Sequence, residues 1–181
     1  AAELQKMRKA CAISAAALKA GGEAIEPGIT TAEIDKIIYD FIVRHGARPN
    51  FLHLYGFPAT ACISVNDTVI HGIPNKQQQI RPGDIVSIDT GCKIDGFNGD
   101  NACTYACGKI DLEAQRLLDV TKESLHRGIE MACGGNRVGD IGHAVQSYVE
   151  ENGFSVVRTF VGHGVGKELH EDPEVPNLSL I

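Results

Sequence analysis

The sequence predicts an α+β protein built from two similar α-α-β units packed into one domain. Four segments carry helical periodicity, the chain superposes on itself at an offset of 107 residues, and a single β-hairpin joins two aspartates. Apolar residues recur with the helical period over 2–20, 31–45, 111–131 and 137–151. The second helix opens on Thr30-x-x-Glu33, a capping box, and stops at Gly46, while the fourth stops at Gly153. At the 107-residue offset Gly28 falls on Gly135, Glu33 on Asp140, Ile34 on Ile141, Ile38 on Val145 and Gly46 on Gly153. One helix earlier, Ile13 meets Val120 and Leu18 meets Leu125. The halves run about 1–108 and 109–181 within one domain spanning 1–181.

Between the helices of the first half, Ala59–Val65 and Thr68–Ile70 read as short strands around an Asn66-Asp67 turn. That reading puts His71 at a strand end, before Gly72 and Pro74 stop the ladder. The hairpin follows over Asp84–Asp100. Asp95-Gly96 has the chemistry of a two-residue type I′ turn, which needs positive φ at both central positions. With that turn Ile94 pairs with Phe97 and Asp100 faces Gly91, two residues from Asp89 on the same face. The second half is expected to hold a strand after Gly153. Its counterpart of Asp89 falls at position 196, beyond Ile181. The second half is therefore expected to be truncated, with a sheet edge and an apolar face open to water and no activity in the 181-residue chain alone.

Composition narrows the function classes. A 181-residue chain that is 43% hydrophobic and 22% charged can bury a sizeable core. A net charge of −6 without a Lys/Arg run argues against DNA or an anionic membrane as partner. No stretch reaches the length of a membrane span, and the N-terminus lacks a signal-peptide layout. Cysteines 11, 62, 92, 103, 107 and 133 form no CxxC and read as reduced, mostly buried thiols of a cytoplasmic protein.

Asp89 and Asp100 are diagonal cross-strand neighbours in the expected register, about 7–8 Å apart at the backbone. Two carboxylates closing on a partly buried face repel, so one is protonated, or one or two divalent cations lie between them. The alternative is a pair of solvated hairpin residues. The β-branched run Ile85–Ile88 before Asp89 suits an inner strand, where an unpaired charge is costly. A second cluster is Gly162-His163-Gly164, with His170 leading into Glu171-Asp172-Pro173. Flanking glycines let a ligand approach His163 closely, and imidazole serves as metal ligand or acid/base. A phosphate loop ending at Gly166-Lys167 is excluded, because position 161 is Val and position 168 is Glu. His45, His53, His126 and His143 lack acidic partners and read as surface or structural.

Four segments, in this order and spacing, resemble the bacterial-type (type I) methionine aminopeptidases along the whole chain. They are Cys62–Asn66 leading to His71-Gly72-Ile73-Pro74, Gly83–Asp89, Gly96–Asp100, and Gly162-His163-Gly164 with His170–Pro173. The resemblance implies a pita-bread fold of two pseudo-symmetric α-α-β halves around an antiparallel sheet. It implies a cytoplasmic metalloaminopeptidase, a hydrolase that removes the initiator methionine from nascent proteins with a small second residue. Asp89, Asp100 and His163 would be metal ligands, with Asp100 bridging two divalent cations of Co, Mn, Fe(II) or Zn. Two further glutamate ligands would lie beyond Ile181. His71 and His170 would hold the substrate and stabilise the developing oxyanion, and Cys62, Phe57 and Phe51 would line the methionine pocket. Nascent polypeptide N-termini, met at the ribosome by a monomeric enzyme, are the expected partners. The alternatives are a proline-directed pita-bread peptidase, or a metal-free binding module of the same fold.

Overall fold

The structure is a computed structural model that describes residues 1–179. It contains α1 (Ala2–Glu23), α2 (Thr31–Arg44), β1 (Arg48–Pro49), a 3-10 turn (Leu54–Gly56), β2 (Ala61–Val65), β3 (Ile85–Ile94) and β4 (Phe97–Ala106). These are followed by α3 (Leu112–Met131), α4 (Val138–Glu151), β5 (Gly162–Gly164) and β6 (Glu171–Val175). Two compact units result: Ala1–Ile110 together with Val165–Leu169, and Asp111–Gly164 together with the chain from His170 onward.

In the first unit β3 is the hub. β4 pairs along its whole length on one edge, and β2 and β1 share the other, all antiparallel. One sheet face carries Val86, Ile88, Cys92 and Ile94, buried against Ala10, Ala17 and Leu18 of α1 and Ile34, Ile38 and Ile42 of α2. The α2 residues recur every four positions and so form one stripe. Thr30 and Glu33 close the capping box at the start of α2: the Glu33 amide donates to the Thr30 hydroxyl at 3.2 Å, and the Thr30 amide to the Glu33 carboxylate at 2.9 Å. Helix α1 lies close on the sheet because its contacts are with small groups. A Cβ on Gly99 would run into the Ala10 carbonyl, and one on Gly22 into the Tyr105 ring. Ser14 Oγ, buried, donates to the Thr90 carbonyl at 3.0 Å across the same interface.

The hairpin has the register its turn dictates. Asp95 (φ 52) and Gly96 (φ 84) both adopt left-handed backbone, and Ile94 pairs with Phe97, Gly91 with Asp100 and Asp89 with Ala102. Thr68–Ile70, expected as a strand, is not one. After the Asn66-Asp67 turn, closed by the Thr68 amide on the Val65 carbonyl at 3.1 Å, Val69 and Ile70 are exposed. β-branched residues with no core to face gain nothing from a ladder, and the chain returns to β2 only at Gly72, whose carbonyl accepts the Ile63 amide at 2.9 Å. His71 therefore sits in a loop, at φ 58, and not at a strand end.

The second unit repeats the helical hairpin. Gly28 and its counterpart Gly135 have φ 96 and 102, and Gly46 and Gly153 have φ 71 and 79. Asp140 accepts the Arg137 amide at 2.6 Å as Glu33 does that of Thr30; a guanidinium cannot accept the reciprocal bond. Its core is small: Val120, Val145 and Val149, with Tyr148, Phe154 and Val156 packed on them. Leu117, Leu125 and Ile129 of α3 are exposed, whereas Ala10, Leu18 and Gly22, at the matching places in α1, are buried. The strand expected after Gly153 comes late, for residues 154–161 form none. Phe154 and Val156 fold onto the helix pair, with the Phe154 amide on the Val149 carbonyl at 3.1 Å, so the backbone follows the helix end. Strand structure begins only at Gly162.

All six cysteines are free thiols; Cys62, Cys92 and Cys107 are buried, while Cys103 and Cys133 are exposed. Among the described residues, no helix is long and apolar enough to cross a membrane. The close approach of α1 to β4 sets an expectation. Gly99→Ala should destabilise the protein by about 1–3 kcal/mol, because the new methyl meets backbone that cannot step aside. Gly134→Ala, where a Cβ meets nothing within 4 Å, should change stability by less than about 0.5 kcal/mol. Urea unfolding of both variants checks the contrast.

Candidate metal centre

The sheet face turned away from the helices carries the chemistry of the first unit. Cys62 pairs with Asp89, Ser64 with Ser87, and Gly91 with Asp100, so all six positions lie on one face. Asp89 and Asp100 are both partly buried. Gly91 leaves room between their levels, and Phe51 and Asn50 fill it: a Cβ there would lie 3.4 Å from the Phe51 ring and 3.1 Å from the Asn50 amide nitrogen. Phe51 is buried, and Phe57, partly buried, ends the 3-10 turn that follows it.

The field on this face is negative. The buried Cys62 thiol is pushed up to about 12, first by burial, then by Asp89, Asp100 and Asp35. Both hairpin carboxylates are therefore close enough to act on one sulfur. At neutral pH Cys62 is a thiol, which leaves carboxylate oxygen as the donor chemistry of the face. Asp35 on α2 holds the entry to β2: its Oδ1 accepts the amides of Thr60 and Ala61 at 2.9 and 2.8 Å. Burial raises the Asp35 carboxyl above its ordinary value of 3.8 in spite of those two bonds. His71 is exposed on its left-handed backbone, and the next residue, Gly72, is seated on β2.

The second unit brings its two candidate histidines together. β5 and β6 pair with a bulge between His163 and Gly164, and the two imidazole centroids are 4.4 Å apart, edge to face. A Cβ on Gly164 would run into the Asp172 and Glu171 carbonyls, so the glycine after His163 is what lets β6 close on β5. His163 Nδ1 lies 2.9 Å from the Gly164 carbonyl oxygen. A carbonyl only accepts, so Nδ1 is the donor in this contact, and Nε2 is the nitrogen that a neutral ring in this orientation would offer to a metal. A concavity of about 290 Å³ is lined by Val161, His163, His170, Glu171, Asp172 and Glu174. The segment between the histidines, Val165–Leu169, belongs to the first unit, where the buried Asn98 amide donates to the Gly166 and Lys167 carbonyls at 2.9 Å each.

The site residues expected from the sequence thus fall into two groups, Asp89, Asp100, Cys62, Phe51, Phe57 and His71 in one unit and His163 and His170 in the other. Among the described residues, no three His, Cys, Asp or Glu side chains gather as a metal cluster. Asn50, Ser64 and Asp35 escape sequence reasoning. Asn50 Nδ2 is buried without a hydrogen-bond partner among the described residues, a feature that no local pattern announces. For Asp35, a lone carboxylate amid the apolar stripe Ile34–Ile38 is the available signal.

The chain matches the model of metallopeptidase family M24 over residues 5–179. It is 53% identical over 176 residues to a methionine aminopeptidase of Clostridium perfringens, covering 97% of this chain and 70% of that protein. It is 47% identical to methionine aminopeptidase 1 of Bacillus subtilis over 175 residues, again 97% of this chain and 70% of that protein. The crystal structure of methionine aminopeptidase from Rickettsia prowazekii superposes with a TM-score of 0.95 at 38% identity, covering 98% of this chain and 71% of the other. A prolidase from Pyrococcus furiosus, at 23% identity, 98% and 51% coverage and a TM-score of 0.85, shares the fold. The chain belongs to the M24 metallopeptidases and, within them, to the methionine aminopeptidase family. Its fold is the pita-bread α+β fold, and it is a metalloaminopeptidase whose family implies a divalent metal cofactor. The donor chemistry fits such a cation: two carboxylates on one face in the first unit beside a cysteine held neutral, and in the second unit a histidine whose Nδ1 is bonded to a carbonyl.

Asp35 sets a pH expectation. A carboxyl whose folded value is raised contributes stability that is complete below 3.8 and is lost as pH rises through the folded value. Asp35→Asn cannot titrate and keeps the accepting oxygen for Thr60 and Ala61. Its stability relative to the parent should therefore increase between about pH 3 and about pH 7. Urea unfolding across that range checks the sign, and a difference that stays flat or falls would contradict it.

Proposed function

We propose that the full-length protein, on which the assays below are made, removes the N-terminal methionine from peptides and nascent chains with a small second residue, by hydrolysis assisted by two divalent cations. The observation that carries this reading is the Asp89–Asp100 pair on one face of a hairpin, opposite a buried, neutral Cys62, in a chain about half identical to methionine aminopeptidases. Asp89 and Asp100 in the first unit and His163 in the second are the residues that would hold the cations. Hard oxygen and imidazole donors suit Co(II), Mn(II), Fe(II) or Zn(II). When bound, the cations supply polarisation of the scissile carbonyl and a lowered pKa for the attacking water.

The chain's own residues do the rest. Phe51, Phe57 and Cys62 receive the methionine side chain, whose thioether makes soft contacts with aromatic edges and with sulfur. His71 and His170 donate hydrogen bonds to the peptide and to the oxygen that gains charge as the carbonyl is attacked. A bulky second residue is excluded because it must fit beside that same carbonyl. The setting we assign is the cytoplasm, on nascent N-termini at the ribosome, with the enzyme acting as a monomer.

Met-Gly-Met-Met should turn over readily and a Met-Leu peptide should not; equal turnover, or a preference for X-Pro substrates, would overturn the assignment. His71→Ala and His170→Ala should each lower turnover by about 10²–10⁴-fold with metal content nearly unchanged. Asp100→Asn and His163→Ala should lose metal as well. Metal analysis of the four purified proteins alongside the peptide assay separates the two groups.

A further inference from the structure

We propose that Ser64 is a positioning residue for His71: its buried hydroxyl holds Gly72, and the clamped Gly72 fixes the backbone that presents the imidazole. The inference rests on the reading that His71 contacts the substrate. Gly72 is seated on β2 by both of its polar groups. Its carbonyl accepts the Ile63 amide at 2.9 Å, and its amide donates to Ser64 Oγ at 3.1 Å. There is no space beneath it, since a Cβ on Gly72 would run into the Ile63 carbonyl and crowd the Ser64 backbone. Two bonds to adjacent residues of one strand, with backbone against backbone, fix both the place and the rotation of this residue.

His71 needs such a hold. At φ 58 it occupies the left-handed region, which a residue with a Cβ rarely adopts. Its side chain is exposed, so burial does not keep it there. The loop is tied to β2 at both ends, by the Thr68 amide on the Val65 carbonyl and by the Gly72 clamp one residue after His71. Ser64 is 4% exposed, pairs with Ser87, and lies on the face of Cys62 and Asp89, two residues from Cys62 along β2. The same strand thus presents the thiol beside the carboxylates and anchors the histidine. A side-chain oxygen does here what a ladder carbonyl does elsewhere in the sheet, and an apolar residue of the same size would leave the Gly72 amide without its acceptor.

The test is a double-mutant cycle on the full-length, metal-loaded protein with Met-Gly-Met-Met as substrate, using Ser64→Ala and the near-isosteric Ser64→Cys, each alone and with His71→Ala. Both single variants are expected to lose about tenfold in kcat/KM with metal content unchanged. In the His71→Ala background they should lose nothing further. The same tenfold loss in both backgrounds would overturn the proposal. The His71 ring Cε1–H resonance is a second readout, independent of activity. It should shift in Ser64→Ala and Ser64→Cys, and an unmoved resonance would overturn the proposal. Full activity in His71→Ala would instead remove the functional role of His71, while the resonance still decides whether Ser64 holds it.

Discussion

Two carboxylates on neighbouring strands of one sheet face repel unless a cation or a proton lies between them, and the β3–β4 register holds Asp89 and Asp100 in that relation. The register is fixed at the tip, where Asp95 and Gly96 take the left-handed backbone of a type I′ turn. A slip of one residue would send Asp89 to the helix face, among Val86, Ile88 and Cys92, where a charge has no partner. The hydrophobic pattern of β3 and the turn chemistry therefore specify one pairing, and that pairing defines the site face.

Much of the first unit backs the other side of that sheet. Helices α1 and α2 cover the opposite side, α1 drawn close at Gly22 and Gly99. Asp35 and Ser64 then use β2 as a rail, one fixing where the strand enters and the other where the returning loop lands. Cys62 between them is buried beside carboxylates and stays protonated, which suits a lining residue better than a ligand. In the second unit the close packing at Gly164 and the bond from His163 Nδ1 to the Gly164 carbonyl orient the imidazole, so that Nε2 is the nitrogen a cation can use.

Legibility in the sequence follows the range of the forces involved. Local signals were sufficient for the four helices, the capping box and the hairpin register, because 3.6-residue periodicity, Thr30/Glu33 and Asp95-Gly96 are short-range statements. The 107-residue repeat was visible for the same reason, and matched glycines prove to share the same left-handed backbone. Thr68–Ile70 reads as a strand and is not one, and the strand after Gly153 starts only at Gly162, because strand propensity is realised only where a partner and a core exist. Asp35, Ser64 and Asn50 were missed because their roles depend on contacts across 8 to 41 residues of chain that no motif encodes. For the ligand roles, the residue types and spacing point to Asp89, Asp100 and His163 as a resemblance, and the structure adds the shared face of the first two and the Nδ1–carbonyl contact of the third.

The central claim is that the Asp89–Asp100 face exists to hold cations. Anomalous diffraction from crystals grown with Mn(II) tests it most directly, because the signal locates the metal without reference to activity. Manganese peaks contacting the carboxylates of both Asp89 and Asp100 are the expected result, with loss of those peaks in Asp100→Asn. An active protein whose manganese lies away from the hairpin, with Asp89 and Asp100 facing only solvent, would contradict it.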